Sequence, residues 1–265
     1  MVGRVTAVVH SRVGGGVATV TLDSQHNRNA LSAQLIGELL AALHAAVADP
    51  AVRAIVLTHE GRAFCSGADL KEARGPAAGQ PAVPFPAVLQ ALWEAPKPVV
   101  ARVAGPARAG GLGLLGACDI VVCAEAVTFA FTEVRLGLVP AIISASLLPR
   151  LAPRAAQELF LTGETFDARR AVDIGLVTVA VPADRLDDEV RRYAGLLARG
   201  APGALAATKA LLRRDPGLRP ATGDLAQLSA LSVRHFTGEE GREGIAAFAE
   251  KRDPSWMAAA KKDDG

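Results

Sequence analysis

The chain has 265 residues, half of them hydrophobic and 21% charged, a globular composition that argues against intrinsic disorder and allows one large domain or two modest ones. Its 29 Lys and Arg against 27 Asp and Glu leave a formal charge of +2, too near neutral for a whole-chain nucleic-acid footprint. There is no uncharged apolar run of about eighteen residues, so no membrane span is expected. The opening MVGRVTAVVH is too short in its apolar stretch for a secretory signal. Cys65, Cys118 and Cys123 are an odd set without a C-x-x-C pair. That points away from a disulfide framework or a zinc site, and toward a reducing, cytoplasmic compartment.

In chain order, residues 4–10 and 17–22 are β-branched runs parted by Gly14, Gly15 and Gly16, which predicts a hairpin. Ser32 can cap a helix in which Leu35, Ile36, Leu39, Leu40, Leu43 and Val47 recur at helical spacing. Asp49-Pro50 ends it, and 52–58 suits a buried strand. The Pro/Gly/Ala-rich stretch 74–86 is expected to be a mobile surface loop. Strands follow at 98–103, 119–123 and 127–131, with a short helix at 110–117, so the core is α/β. From about residue 184 the texture turns helical, over 185–199, 203–214, 222–235 and 239–251, with breaks at Pro202, Pro216 and Gly238. The expected division is a core over 1–195 and a helical C-terminal region over 196–265. No fixed-period repeat stands out.

Three segments could carry chemistry. FCSGADL at 64–70 follows a strand, and its small residues let a backbone approach a ligand with free amides. Asp69 could equally cap a following helix. GPARAGGLGLLG at 105–116 contains G-x-G-x-x-G at Gly111, Gly113 and Gly116. A dinucleotide fingerprint needs a longer helix and an acid further on than Glu125. A tight turn feeding a helix N-terminus, where an anion is favoured, fits better, and close helix packing through small residues fits as well. In FAFTEVRLGLVP at 129–140, Glu133 is either a general acid/base with a raised pKa or the ion-pair partner of Arg135 or a neighbouring Arg. The five His are scattered without a metal-binding spacing, Ser66 lacks a triad partner, His44 reads as structural, and Cys65 reads as a small buried hydrophobe.

Taken in order, NRNAL at 27–31, AVRAIVLTHEGRAFCSGADL at 51–70, KPVVARVAGPARAGGLGLLGACDIVVCA at 97–124, FTEVRLGLVP at 131–140, LTGETFDARRAVDIGLV at 161–177 and AFAEKRDP at 247–254 resemble the enoyl-CoA hydratase/isomerase (crotonase) superfamily. The resemblance implies a spiral of ββα units with a helical C-terminal trimerisation region. It also implies an acyl-CoA thioester whose enolate oxygen is held by the backbone N–H groups of Ala68 and Gly110, with Glu133 as the catalytic carboxylate. Hydratases of this family usually employ a second glutamate; here that position is Gly113. Ala109 and Ala141 also stand where the family often has Gly. For coenzyme A, which enters as part of the substrate, the resemblance points to His26 and Arg28 near the phosphates. It places backbone at Ser66 and Leu70 around the adenine, counts Asp69 among the substrate- or CoA-binding residues, and puts Phe248 and Lys251 on a C-terminal helix that often serves a neighbouring subunit. No separate cofactor and no metal are implied, and the partners expected are copies of the same chain, as a trimer or a dimer of trimers. The activity implied is hydration of a 2-enoyl-CoA, with Δ3-Δ2 isomerisation, a branched-substrate methylglutaconyl-CoA-type hydratase, or a catalytically weak acyl-CoA-binding homologue as alternatives.

Overall fold

The computed structural model describes residues 6–72, 84–213 and 222–260. It opens on a hairpin of β1 (Val9–Gly14) and β2 (Val17–Leu22), paired antiparallel from Val9↔Leu22 to Gly14↔Val17. The first strand begins at Val9, later than the expected 4–10 in that residues 6–8 are not strand; residues 4 and 5 lie outside the described residues. Only Gly15 and Gly16, at φ +55° and +74°, form the turn, and Gly14 pairs within the ladder. Two consecutive left-handed residues make the tight turn that matches strand twist.

Ser32 caps α1 (Ala33–Ala48), its hydroxyl accepting the Leu35 N–H at 3.2 Å. Leu35, Ile36, Leu39, Leu43 and Ala46 bury one face of α1 against the sheet, roughly 1.5–3 kcal/mol for each large aliphatic side chain. β3 (Ala54–His59) follows with all six residues buried, the signature of a strand covered on both faces. α2 (Phe85–Glu94) begins where the loop 74–86 was expected to end. Pro84 stands just before its first turn, where no intrahelical N–H is required, so Phe85 and Pro86 are helical; the loop's residues up to 83 lie outside the described residues.

β4 (Val99–Val103), β5 (Ala107–Arg108), α3 (Gly110–Ala117), β6 (Ile120–Ala124) and β7 (Thr128–Ala130) come next. They are followed by α4 (Ala141–Leu147), α5 (Pro153–Thr162), β8 (Thr165–Asp167), α6 (Ala168–Asp173) and β9 (Val179–Val181). The large sheet has the order β1-β2-β3-β4-β6-β9 and is parallel from β2 onward; β5, β7 and β8 form a small second sheet. The C-terminal helices are α7 (Leu186–Ala198), α8 (Pro202–Leu212), α9 (Thr222–Thr237), α10 (Glu239–Glu250) and α11 (Ser255–Ala260). The boundary expected at residue 195 falls inside α7, whose Leu186 and Val190 join the main core.

α8 is fastened to the core by charge. Asp119 accepts Lys209 Nζ at 2.7 Å and Arg213 Nη2 at 2.6 Å, and Arg213 lies over the Trp93 ring at 4.6 Å. No helix among the described residues is long and apolar enough to cross a membrane.

Candidate active site

The loops leaving the carboxyl ends of the neighbouring parallel strands β3 and β4 carry FCSGADL and GPARAGG. Ligands of open α/β sheets gather at such ends. A third segment, NRNAL, is woven into both. Asn29 is fully buried at φ +54°; its Oδ1 accepts the Ser24 N–H at 2.6 Å, and its amide donates to the Glu60 and Ala63 carbonyls at 3.0 and 2.9 Å. Ser66 N donates to Arg28 O (3.1 Å), Leu31 N to Gly67 O (2.8 Å), Phe64 N to Pro106 O (3.0 Å) and Arg108 N to Cys65 O (2.9 Å). Main chain thus holds main chain, which fixes loop positions more tightly than long side chains could.

At the centre of this weave Gly67 (φ +91°) backs onto Ala109, which sits at φ +47°, ψ −118°. A Cβ built on Gly67 would stand 2.9 Å from the Ala109 Cβ and 3.7 Å from Gly110 N. The close approach puts the N–H of Gly110, first residue of α3, beside the loop of Ala68. Among the described residues neither N–H donates to a protein acceptor. Two unused donors, one at a helix N-terminus, mark a place for negative charge. The helix they open has all eight residues buried and is too short for a dinucleotide-binding unit.

Both residues line a cavity of about 980 Å³. Its walls include Leu31, Ile36, Phe85, Leu138, Ile142 and Ile143, so the space is mainly apolar. Glu133 enters it from the turn after β7. Its Oε2 is buried without a hydrogen-bond partner, and desolvation holds its pKa above the ordinary glutamate value. Arg135 does not neutralise it; that guanidinium donates instead to Thr162 O at 3.1 Å. The expected ion pair with Arg135 is thus not formed, and Glu133 stands as a candidate acid/base.

Gly113 does not line the cavity. A Cβ there would stand 2.6 Å from Ile143 Cγ2, so α4 fills the space with an aliphatic side chain. The Ala141 amide, first of α4, already donates to Val139 O at 2.8 Å. Neither position offers a polar group to a water.

Ser66, Asp69 and Leu70 also border the cavity. The Ser66 hydroxyl donates to Asn27 O at 3.1 Å and so faces no base. Burial pushes the Asp69 carboxyl pKa up, but hydrogen bonds from Asn27, Lys71 and Glu72 outweigh it and hold the value below the ordinary range. Burial pushes the Cys65 thiol up to about 12, which removes it as a nucleophile. His26 and Arg28 are exposed on the turn beside Ser66, outside the cavity wall. Phe248, 88% exposed, and Lys251, at the end of α10, do not line it within one chain. Ile143 and Thr132 do line it, and sequence reading missed both. Nothing in the local pattern separates an aliphatic residue facing a cavity from one facing the core.

The match to a family model, enoyl-CoA hydratase/isomerase, runs over residues 12–259. A Thermus thermophilus protein, named provisionally as an enoyl-CoA hydratase, is 40% identical over 247 residues, 91% of this chain and 97% of that one. The crystal structure of an enoyl-CoA hydratase from Shewanella pealeana superposes with TM-score 0.89 at 31% identity, covering 94% of this chain and 96% of the other. One from Mycobacterium avium is 43% identical with TM-score 0.71, covering 95% and 99%. The likeness takes in both amide-bearing loops, the Glu133 turn and the C-terminal helices together, and the chain belongs to the enoyl-CoA hydratase/isomerase family.

Proposed function

We propose that the protein is an enoyl-CoA hydratase adding water across the 2,3 double bond of a 2-enoyl-CoA thioester. The observation that carries this reading is the half-buried Glu133 carboxylate, its Oε2 without a hydrogen-bond partner, in the same apolar cavity as the two free amides of Ala68 and Gly110. Ionised Glu133 takes a proton from water as the oxygen bonds to C3, and the π electrons move to the thioester oxygen. Ala68 and Gly110 hold that enolate, in an arrangement where each donor is commonly worth about 2.7–4 kcal/mol. The enolate then takes the proton from Glu133 at C2 and the carboxylate is restored. One carboxyl group balances the reaction, consuming only water and thioester.

His26, Arg28, Ser66, Asp69 and Leu70 are the proposed coenzyme A contacts. Phe248 and Lys251 are assigned to a neighbouring copy's site in a trimer or a dimer of trimers, a role supported by the exposure of Phe248 and of Phe236 (70%). Sedimentation of the intact protein tests that assembly.

A second reading, Δ3-Δ2 enoyl-CoA isomerase, draws on Ile143 over Gly113 and on the occupied Ala141 amide, since shuttling a proton between C4 and C2 needs no anchored water. The test is loss of the conjugated-enoyl absorbance of crotonyl-CoA, wild type beside Glu133→Gln. Hydration that falls by about 10²–10⁴-fold in the variant is expected. Absence of hydration, with absorbance appearing from a 3-enoyl-CoA, would favour the isomerase. Tight thioester binding without either turnover would identify a binding protein.

A further inference from the structure

The buried imidazole of His59 takes no part in the chemistry just described, yet it stands where the two donor-bearing loops diverge. His59 closes β3 and is 5% exposed. Its Nε2 accepts the Ala104 N–H at 3.1 Å, so that nitrogen carries no proton; Nδ1 faces the Glu60 carbonyl at 3.4 Å. The edge of the ring packs at 82° on Phe64, centroids 5.6 Å apart.

Ala104 is the first residue after β4, six before Gly110. Phe64 lies four residues before Ala68. Beside this contact the two loops are already in backbone contact: Gly105 has no room for a Cβ, which would stand 2.5 Å from Arg62 O. Desolvation holds the imidazole pKa below its ordinary value; the Glu60 carbonyl opposes this and the Arg102 charge adds to it. The ring is therefore kept in the neutral form that can accept.

We propose that His59 is a positioning residue for the enolate-binding pair: by accepting the Ala104 N–H it locks the loop leading to Gly110 against the loop leading to Ala68, and so sets where the two amides point. This rests on the thioester reading of the site. Its physical basis is that small displacements of oriented donors cost far more than their distance suggests.

The experiment compares His59→Leu, which removes the acceptor, with His59→Gln, whose side-chain carbonyl can still reach Ala104. The first readout is crotonyl-CoA turnover. The second is the carbonyl stretch of bound butyryl-CoA by difference infrared spectroscopy, which reports polarisation of the thioester whether or not turnover occurs. His59→Leu is expected to lower kcat by about 10–100-fold with KM little changed, and to lose most of the carbonyl downshift. His59→Gln is expected to recover both to within a few-fold. Should His59→Leu not fold, His59→Asn, whose amide is shorter by one methylene, takes its place. A wild-type carbonyl shift in the acceptor-less variant would overturn the proposal, as would equal loss in the Gln variant. A wild type that polarises the thioester without hydrating it would overturn the hydratase reading and leave His59's role standing.

Discussion

Among the described residues no cation pairs with Glu133, and only a hydrogen bond from its own backbone N–H draws its pKa down. Its buried Oε2 lacks a partner, and desolvation raises its pKa above the ordinary 4.5. A raised pKa means that the folded state binds this proton more tightly than the unfolded chain does. Stability attributable to Glu133 therefore declines as pH rises from the ordinary value through the raised one. Glu133→Gln removes that slope, and its melting temperature at neutral pH should exceed that of wild type even as turnover collapses. Melts across the acidic range check this. Turnover, which requires the ionised base, should instead rise with pH through the same raised pKa. Gly67 is a second residue whose identity is dictated by geometry. At φ +91°, with the Ala109 Cβ 2.9 Å from where its own would be, Gly67→Ala should cost about 1–3 kcal/mol and most of the turnover. Adding Ala109→Gly should return part of the loss, because the steric partner is gone; a double-mutant cycle by denaturant melts reads the coupling.

At the scale of elements, the packing of α3 on α4 decides what the cavity wall is made of. Gly113 and Gly116 let α4 come close: a Cβ at 113 would strike Ile143, and one at 116 would lie 2.9 Å from Ser146 O. Ser146 adds a bond from its hydroxyl to Gly113 O at 2.9 Å. Overpacking there should be felt at once. Gly113→Ala is expected to destabilise by about 1–3 kcal/mol, and Ile143→Val in the same chain to recover some of it, read as thermal midpoints. The hairpin, the capped α1, the short α3 and four of the five C-terminal helices, α7 to α10, were legible beforehand, because glycine turns, a Ser cap and helical periodicity act over a few residues. β8 and α6 were not read: a three-residue strand and a six-residue helix are too short to show a period. β1 was read too early because its last five residues, His10 to Gly14, are all exposed and show no apolar alternation.

For the whole molecule, α7 joins the core through Leu186 and Val190, and Arg53 donates to the Gly200 and Trp256 carbonyls, while α8 is tied by the charge of one carboxylate. Asp119 holds Lys209, 7% exposed, and Arg213, 9% exposed, while desolvation still draws the lysine's pKa down against that pairing. Asp119→Asn would leave both cations buried without their counter-charge. A loss of about 3 kcal/mol is expected, or roughly 6–12 °C in melting temperature for a chain of this size. Differential scanning calorimetry would show it, together with separate melting of the helical end if α8 detaches first.

What the sequence determined by itself was the family, the α/β core and the order in which the two amide-bearing loops and Glu133 arrive. Those follow from residue types at short spacing and from backbone amides, which need no particular side chain. Only the tertiary structure decided that Arg135 turns away from Glu133, that Ile143 fills the notch over Gly113, and that Phe248 and Lys251 stand clear of the cavity in their own chain. It also brought His59 to Ala104 across 45 residues. Each of these depends on how separate elements dock, where close packing gives a space to whichever side chain reaches it, and no local pattern records that outcome.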